Sequence, residues 1–533
     1  MAKRSNSGSI AGDEAAAVDA VRAGYSFDEP ALELGVLVVD DGTHADVPVR
    51  IPLSMVNRHG LVAGATGTGK TKTLQLMAEQ LSAHGVPVFA ADMKGDLSGI
   101  ATPGQPGDRV SKRATEVGQD WRPGGCPVEY YALGGRGTGI PLRATITSFG
   151  PTLLSKVLGL NAVQESSLGL VFHYADSRGL TLLDLKDLRA VVQHLTSDEG
   201  KADLKELGGL SASTAGVILR QLITFSDQGA DAFFGEPEFD TSDLMRLDSD
   251  GRGVVSLAEL PELAQEPALF STFLMWLLAD LFESMPEVGD VEKPKLVFFF
   301  DEAHLLFADA SKAFLASIAQ TVRLIRSKGV GVFFVTQTPK DVPDDVLAQL
   351  GSRVQHALRA HTPNDAKVLR ATVATFPRCG YDLEEVLTTL GIGEAVITVM
   401  DPDGAPTPVA WTKLRAPQSL MAPTPAEVMA AAVQGSPLMA RYGQLVDRES
   451  AYERLAARVV AETSASAGQV PAPKAESGGG IPLPRTGAPQ RAPRSQQDKT
   501  VVEEVLGSTV VRDLARTAGR EILRGIFGSR RRR

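Results

Sequence analysis

The sequence predicts an α/β fold in which a mainly parallel sheet carries helices on both faces. Residues 61–63 and 86–91 are apolar runs of strand length, and the helix-forming stretch 73–81 lies between them. Residues 296–300 and 331–335 are a second such pair of runs farther along the chain. Strands that are apolar along their whole length are buried on both faces of a sheet. A strand, a helix and a second strand in this order form a right-handed crossover, which makes the two strands parallel.

The segment that precedes this alternating pattern divides into two parts. Residues 1–24 are rich in alanine and polar side chains, which predicts a flexible leader. Residues 25–57 contain two apolar runs on either side of Asp40-Asp41-Gly42, a sequence typical of a hairpin turn. We therefore expect a small N-terminal β element ahead of the main sheet.

A glycine-rich loop links the first strand of the core to its first helix. Residues 64–71 read Gly-Ala-Thr-Gly-Thr-Gly-Lys-Thr, which satisfies the G-x-x-x-x-G-K-[ST] pattern of a P-loop. The backbone N–H groups and the lysine of such a loop bind the phosphates of a nucleoside triphosphate, and its last hydroxyl ligates Mg²⁺. The sequence therefore predicts ATP and Mg²⁺ as ligands, with Thr71 on the metal. The predicted nucleotide-binding residues are Gly64, Ala65, Thr66, Gly67, Thr68, Gly69, Lys70, Thr71 and Lys72.

A helical segment divides the nucleotide-binding core in two. Residues 58–150 hold the P-loop strand and the second strand of the core. Residues 151–250 have helical periodicity, which is clearest around residues 181–192. Strands return in residues 251–415. We therefore predict a P-loop core in two parts that are separated by a helical insertion.

Two adjacent carboxylates follow the apolar strand 296–300. We expect Asp301 to hold Mg²⁺ and Glu302 to deprotonate the water that attacks the γ-phosphate. Gln337 ends the next strand and is predicted to hydrogen-bond the γ-phosphate or the attacking water. An adjacent Asp-Glu pair indicates hydrolysis rather than binding alone. Together with Lys70, Glu302 and Gln337 form the catalytic set predicted from these motifs.

Several arginines flank the last of these strands. An arginine that enters a neighbouring subunit's site can stabilise the charge that develops during hydrolysis. Spacing alone does not decide which arginine does so, and each one also fits an ordinary surface ion pair. The arginines in question are Arg323, Arg326, Arg353 and Arg359.

The composition is that of a globular protein. Of its 533 residues, 43% are hydrophobic and 22% are charged, and the formal net charge is −10. No apolar run reaches the roughly 20 residues of a membrane-spanning helix, and the N-terminus lacks a secretory signal, so we expect a cytoplasmic protein with no integral membrane segment. The negative net charge argues against a uniformly basic surface for nucleic acid but allows a local basic channel.

The chain beyond the core divides into three parts. We expect residues 416–463 to form a helical extension and residues 464–500, which are rich in Ser, Gly, Pro and Ala, to form a disordered linker. The pattern of residues 501–533 predicts an amphipathic helix with apolar residues on one face and arginines on another. Such a basic helix can contact an anionic membrane surface, nucleic acid or a protein partner, or it can dock on its own protein.

Five longer stretches extend these motifs. They are residues 92–99 (Asp-Met-Lys-Gly-Asp-Leu-Ser-Gly), 183–189, 233–237 (Phe-Phe-Gly-Glu-Pro), 293–307 and 322–337. Together they resemble a known family, the bacterial HerA-like ATPases of the HerA/FtsK superfamily. The resemblance extends over residues 25–415. Two departures are Thr338, where the family pattern has asparagine, and the chain after residue 415, which fits the pattern poorly.

The resemblance implies more than the motifs alone. It implies a RecA-like P-loop fold with additional strands and a homo-hexameric ring that moves double-stranded DNA. It also implies that Arg326 is the arginine supplied across the subunit interface.

Taken together, these features predict an ATP-hydrolysing HerA-like motor that forms a ring and acts as a DNA translocase or helicase. Two other functions fit the same motifs. One is an ATPase that remodels or secretes protein, and the other is a nucleotide-dependent switch whose slow hydrolysis changes contacts through the tail. Stimulation of hydrolysis by DNA distinguishes the motor from these alternatives.

Overall fold

A computed structural model describes residues 7–40, 42–204, 208–260, 266–307 and 312–458. The strands in this part of the chain join a single twelve-stranded sheet. They are β1 (Ala31–Val39), β2 (Gly42–Pro52), β3 (Gly60–Ala63), β4 (Val88–Asp92), β5 (Val128–Leu133), β6 (Ile140–Leu142), β7 (Val255–Glu259), β8 (Leu296–Phe300), β9 (Val330–Thr336), β10 (Ser352–Gln355), β11 (Glu394–Thr398) and β12 (Ala410–Leu414).

The sheet is parallel over most of its width. Its strand order is β2-β1-β12-β11-β10-β3-β9-β8-β4-β7-β5-β6. The strands from β10 to β6 in this order pair in parallel, and the four strands at the other edge pair antiparallel. Every residue of the central strands β8 and β9 is buried, which is why their sequences are continuously apolar. The predicted mainly parallel α/β fold is confirmed.

Helices connect these strands, as the alternating sequence pattern predicts. The described helices are α1 (Ser7–Gly24), α2 (Lys70–Ala83), α3 (Asp108–Glu116), α4 (Ile146–Val157), α5 (Ala162–Ser177), α6 (Leu185–His194), α7 (Asp198–Leu204), α8 (Ala212–Asp227), α9 (Pro267–Ser284), α10 (His304–Phe307), α11 (Lys312–Ile325), α12 (Asp344–Leu347), α13 (Pro363–Val373), α14 (Leu383–Thr389), α15 (Ala426–Gly435) and α16 (Pro437–Tyr442).

The N-terminal segment differs from the flexible leader expected for residues 1–24. It contains the helix α1, which contacts β1 and β2, and its side chains Val18 and Val21 are buried. These two valines lie three positions apart and therefore on one helical face, so burial of that face stabilises the helix against the sheet. The hairpin expected within residues 25–57 is present as β1 and β2, and it joins the main sheet through pairing of β1 with β12.

Helices α4 to α8 lie between β6 and β7, in the segment where the sequence predicts a helical insertion. Helices α15 and α16 follow the last strand, within the predicted extension. The predicted linker 464–500 and basic tail 501–533 lie outside the described residues. No helix in the described part of the chain combines the length and hydrophobicity needed to span a membrane.

Candidate functional site

The glycine-rich loop lies between β3 and α2, at the carboxyl edge of the parallel strands. Gly64, Gly67 and Gly69 have φ angles of 154°, 81° and 115°, a region of backbone space that L side chains rarely adopt. A side chain at Gly64 would also meet the Cβ of His356 at 2.5 Å. The turn therefore favours glycine at all three positions, and the buried His356 side chain also requires it at Gly64. A loop with this curvature directs successive N–H groups toward an anion.

The lysine and threonine of the loop have different surroundings. The Nζ of Lys70 donates to the carbonyl oxygens of Gly64, at 2.6 Å, and Ala65, at 3.2 Å. Burial lowers the pKa of Lys70 below its usual value. The hydroxyl of Thr71 donates to Oδ2 of Asp96 at 3.3 Å. The predicted phosphate-binding lysine therefore lies against the loop itself, and the predicted metal-binding threonine faces a carboxylate.

Three carboxylates converge beside this threonine. Oxygen atoms of Asp92, Asp96 and Asp301 all lie within 4.8 Å of one another. Asp301 is only 3% exposed, and its Oδ2 accepts no hydrogen bond from any described residue. Burial, despite the neighbouring Lys94, raises the pKa of Asp301 to about 6. Hard oxygen donors and a buried carboxylate oxygen without a hydrogen bond fit a divalent cation such as Mg²⁺.

A fourth acidic residue borders this cluster. Glu259 ends β7, the neighbour of β4, and burial together with the charges of Asp92 and Asp96 raises its pKa to about 8. A carboxyl group with a pKa of about 8 is mostly protonated at neutral pH. The negative potential at this edge of the sheet therefore favours a cation.

Glu302 follows Asp301 and adopts a backbone conformation that is uncommon outside glycine, with φ 47°. Its carboxylate forms an ion pair with the Nζ of Lys94 and lies 3.2 Å from Nδ1 of His304. Burial raises the pKa of Glu302, but Lys94 more than offsets this, so that the pKa lies below its usual value. Lys94 in turn has a raised pKa because Asp301 and Glu302 outweigh its desolvation. The Glu302 carboxylate is therefore ionised and is ion-paired with Lys94.

Gln337, the residue predicted to hydrogen-bond the γ-phosphate or the attacking water, lies beside the P-loop. Gln337 directly follows β9 and is exposed. With Ala65 and Arg359 it lines a cavity of about 240 Å³. The Nη2 of Arg359 donates to the carbonyl oxygen of Thr66 at 3.1 Å, so this arginine reaches the P-loop of its own subunit.

Arg326 lies far from these groups. It precedes β9, whereas Gln337 follows that strand. The two residues therefore lie at opposite ends of the parallel strands. A strand of seven residues spans roughly 23 Å. The Nη2 of Arg326 lies 3.6 Å from Oδ1 of Asp290, which also lies 3.7 Å from Arg58.

The structure thus brings together most of the residues predicted from the sequence. The P-loop, Asp301, Glu302 and Gln337 share one edge of the sheet, and Arg326 does not. The sequence predicts that Lys94 and Asp96 lie at the edge where ligand groups bind, but it gives neither residue a specific role. The signal for both was their position directly after the apolar run 86–91, since the carboxyl ends of parallel strands meet at one edge.

Comparison with known families decides where the chain belongs. A family model described as helicase HerA-like C-terminal matches residues 38–533. The chain belongs to this HerA-like family. The resemblance inferred from the sequence motifs is therefore confirmed. The match also includes the chain after residue 415, which was expected to fit the family pattern poorly. With its P-loop and acidic pair at one sheet edge, the HerA-like chain is a P-loop ATPase.

Named relatives support the same assignment. The DNA double-strand break repair helicase HerA of Sulfurisphaera tokodaii is 24% identical over 376 residues, which cover 70% of this chain and 67% of the relative. The protein of the same name from Saccharolobus solfataricus is 21% identical over 359 residues, which cover 66% of this chain and 64% of the relative. The HerA-like chain thus spans about two thirds of the length of these proteins.

The fold also has a counterpart among solved structures. The bacterial conjugative coupling protein TrwBdeltaN70 aligns with a TM-score of 0.50 and 15% identity, over 76% of this chain and 93% of that one. At this level of identity the similarity concerns the fold. It agrees with the P-loop α/β architecture described above.

Proposed function

We propose that this HerA-like ATPase hydrolyses ATP in sites completed between subunits of a ring, and that it uses the energy to move double-stranded DNA. The observation that carries the proposal is the distance, within one chain, between the nucleotide-binding residues and Arg326. The P-loop, Asp301, Glu302 and Gln337 share one edge of the sheet, whereas Arg326 lies at the other edge. An arginine in that place is suited to a neighbour's site and not to its own.

The residues of one subunit supply binding and base catalysis. The N–H groups of the P-loop and the Nζ of Lys70 would hold the β- and γ-phosphates once the lysine turns from the carbonyl oxygens of Gly64 and Ala65 toward the ligand. Thr71 and Asp301 would hold Mg²⁺, which supplies positive charge to the phosphate oxygens. Gln337 would position the attacking water.

Glu302 is the general base in this proposal. Because its pKa is lowered, it is ionised at neutral pH and can accept a proton from the attacking water. It must first part from Lys94, with which it is ion-paired. Glu302 can accept a proton only after this ion pair breaks. Groups that arrive at the site and draw Lys94 away would therefore activate the base.

The choice of DNA as the polymer rests on the family. Two of the similar proteins carry the name DNA double-strand break repair helicase HerA. The net charge of −10 requires that any DNA-contacting surface be a local basic patch, such as the lining of a ring. We propose a homo-hexamer for this reason and because a composite site needs a repeating neighbour.

The test measures ATP hydrolysis by the purified full-length protein with and without double-stranded DNA, alongside its oligomeric mass. We expect DNA to stimulate turnover, Lys70→Ala to abolish nucleotide binding, and Glu302→Gln to bind ATP but lose turnover by about 10²-fold or more. Glu287→Gln, at an exposed position remote from the P-loop, serves as the control.

Each other outcome has a definite meaning. Turnover by an assembled ring that DNA leaves unchanged would contradict the assignment of DNA. A protein that co-purifies with Glu302→Gln, in a preparation free of nucleic acid, would support the protein-remodelling alternative instead. Turnover unaffected by any polymer and by protein concentration would support the nucleotide-dependent switch.

A further inference from the structure

We propose that the helix α13 and the residues after it present a surface that binds the phosphate backbone of double-stranded DNA through Lys367, Arg370 and Arg378, and that Arg359 couples this surface to the P-loop. The inference rests on the proposed function, because it takes double-stranded DNA to be the polymer that the ATPase moves. It adds the residues that contact the polymer and a physical route from them to the nucleotide-binding loop.

Residues 352–381 are basic, although the whole chain has a net charge of −10. They include five lysines and arginines and a single aspartate. The carboxylate of that aspartate, Asp365, accepts hydrogen bonds from the N–H groups of His361 and Thr362, at 3.1 and 2.9 Å. Residues 352–381 therefore form a local patch of positive charge, which is what an acidic protein needs in order to hold DNA.

The cations of this patch are accessible. Lys367, Arg370 and Arg378 are exposed, and none of them makes a hydrogen bond or an ion pair with another residue in the described part of the chain. Lys367 and Arg370 lie three positions apart and therefore on one side of α13, whereas Leu369 and Thr372 are buried. Cations without a protein partner can neutralise phosphates, and the counterions that the DNA then releases supply the affinity.

The chemistry of the surface favours a duplex over a protein or a single strand. Among the described residues, the exposed large apolar side chains all lie outside residues 352–381. Phe376 and Tyr381 are partly buried against the hydrophobic cluster beneath α13. Protein interfaces have an apolar centre rich in aromatic residues, and single-stranded nucleic acid stacks its bases on aromatic rings. A polar, cationic surface suits the phosphate backbone of a duplex.

The helix α13 is fixed to the sheet close to the P-loop. It follows β10, which pairs in parallel with the P-loop strand β3. Before the helix, the Nη2 of Arg359 donates to the carbonyl oxygen of Thr66 in the P-loop at 3.1 Å. After the helix, the carbonyl oxygen of Thr375 accepts a hydrogen bond at 2.5 Å from Nη1 of Arg353 on β10. Both ends of α13 are therefore tied to the nucleotide-binding core.

The inner side of α13 borders the hydrolytic site. Val368 and Leu369 line the cavity of about 240 Å³ that Gln337 also lines. The helix also contacts the short turn Pro339–Asp341, which follows Gln337. A shift of α13 on binding DNA would therefore move the wall beside Gln337 and, through Arg359, the P-loop. Arg359 acts here as a positioning residue, because it contacts the backbone of the loop.

The binding test measures the affinity of the full-length protein for labelled double-stranded DNA by fluorescence anisotropy at several salt concentrations. Lys367→Gln/Arg370→Gln removes two phosphate contacts. We expect the Kd for DNA to rise about tenfold or more, and the slope of log K against log salt to fall in magnitude by roughly 2. The rate of ATP hydrolysis without DNA should equal that of the parent. Lys367→Arg/Arg370→Lys keeps both charges and should bind DNA as the parent does.

A matched control removes two cations elsewhere. Lys201→Gln/Arg220→Gln changes exposed residues of α7 and α8 in the helical insertion and should alter neither the Kd nor the salt slope.

The coupling is tested with Arg359→Gln. We expect this variant to bind DNA with the Kd of the parent, whereas DNA should no longer raise its rate of ATP hydrolysis. Stimulation by DNA equal to that of the parent would show that Arg359 does not couple α13 to the P-loop.

Three further results would overturn the DNA-binding surface. A Kd and a salt slope equal to those of the parent in Lys367→Gln/Arg370→Gln would remove α13 from the contact with DNA. Weaker binding of single-stranded DNA alone would assign the cations to the wrong polymer. A lower oligomeric mass with unchanged affinity for DNA would place them between subunits. A parent protein that neither binds double-stranded DNA nor responds to it would instead contradict the proposed function itself.

Discussion

The ion pair between Lys94 and Glu302 is the most consequential contact at the scale of single residues. The positive charge of Lys94 lowers the pKa of Glu302, the proposed base. The same ion pair also engages the carboxylate that would accept the proton. Lys94 also lies 3.9 Å from Oδ2 of Asp301, a proposed metal ligand. One lysine therefore contributes positive charge to both acidic groups of the hydrolytic pair.

Removal of this charge has a predictable effect on pH dependence. In Lys94→Met the Glu302 carboxylate loses the neighbour that lowers its pKa, so its pKa rises. Since the ionised form is the base, activity should be lost at a higher pH than in the parent protein as the solution is acidified. We expect the acidic limb of the ATPase pH profile to move to higher pH.

The measurement is the initial rate of hydrolysis at saturating ATP from neutral pH down to about pH 4, because the pKa of Glu302 lies below the ordinary value of 4.5 for a glutamate. Lys112→Met, at an exposed position on α3, controls for loss of a lysine. An acidic limb at the same pH in Lys94→Met and in the parent would show that Lys94 does not set the protonation of the base.

The sequence predicted the residues of the site better than their pairing. Gly64 to Thr71, Asp301, Glu302 and Gln337 stand in patterns whose spacing is set by the ligand, so they are visible in one chain. The Lys94–Glu302 pair joins residues 208 positions apart. No local pattern reports such a contact, because the sheet order that creates it depends on the packing of the whole core.

At the scale of elements, the P-loop helix α2 is tied to the segment that follows β12. Glu79 on α2 accepts hydrogen bonds from the backbone N–H groups of Gln418, at 2.8 Å, and Ser419, at 2.9 Å. Gln75 donates to the carbonyl oxygen of Leu420 at 2.9 Å. The next residue, Met421, lines a cavity beside the P-loop together with Gly69 and Lys72, so these bonds connect the phosphate loop to that wall.

This connection predicts the effect of Glu79→Ala. The substitution leaves two N–H groups and the Ser419 hydroxyl without their acceptor, which should lower the free energy of unfolding by about 2–4 kcal/mol. Urea unfolding at pH 7 measures the change. It should also weaken ATP binding, because the helix α2, which begins with Lys70 and Thr71, loses its hydrogen bonds to the segment after β12.

Glu287→Ala is the matched control, because Glu287 is exposed and remote from α2. A Glu79→Ala protein as stable as the parent, with unchanged affinity for ATP, would show that the segment after β12 is held by other contacts.

Helices and strands are predictable from the sequence when a local pattern specifies them. They are less predictable when tertiary packing decides whether the helix or strand forms. The buried strands β8 and β9 and the helix α2 follow directly from apolar runs and the P-loop. The helix α1 does not, because its alanine-rich sequence has only a weak apolar face and becomes helical where Val18 and Val21 pack on the sheet. The antiparallel strands β11 and β12 were not assigned individually, since short strands at a sheet edge carry little periodicity.

At the scale of the whole molecule, the proposed hydrolytic site needs a residue from a neighbouring subunit. Arg326 cannot reach the hydrolytic edge of its own sheet, because β9 separates the two edges. Arg359, by contrast, contacts the P-loop of its own chain. We therefore propose Arg326 as the arginine that enters the next subunit's site, and we expect Arg326→Ala to lower turnover by about 10³-fold or more.

Subunit mixing tests this composite site most directly. Lys70→Ala and Arg326→Ala subunits carry different affinity tags, are co-expressed, and are purified on both tags before ATP hydrolysis is measured. A site is active when its own subunit keeps Lys70 and the donating neighbour keeps Arg326, so random assembly should restore about a quarter of the parent activity. Arg323→Ala, at an exposed arginine of α11, should be active without mixing. A mixed ring no more active than its two inactive parents would contradict a site shared between subunits.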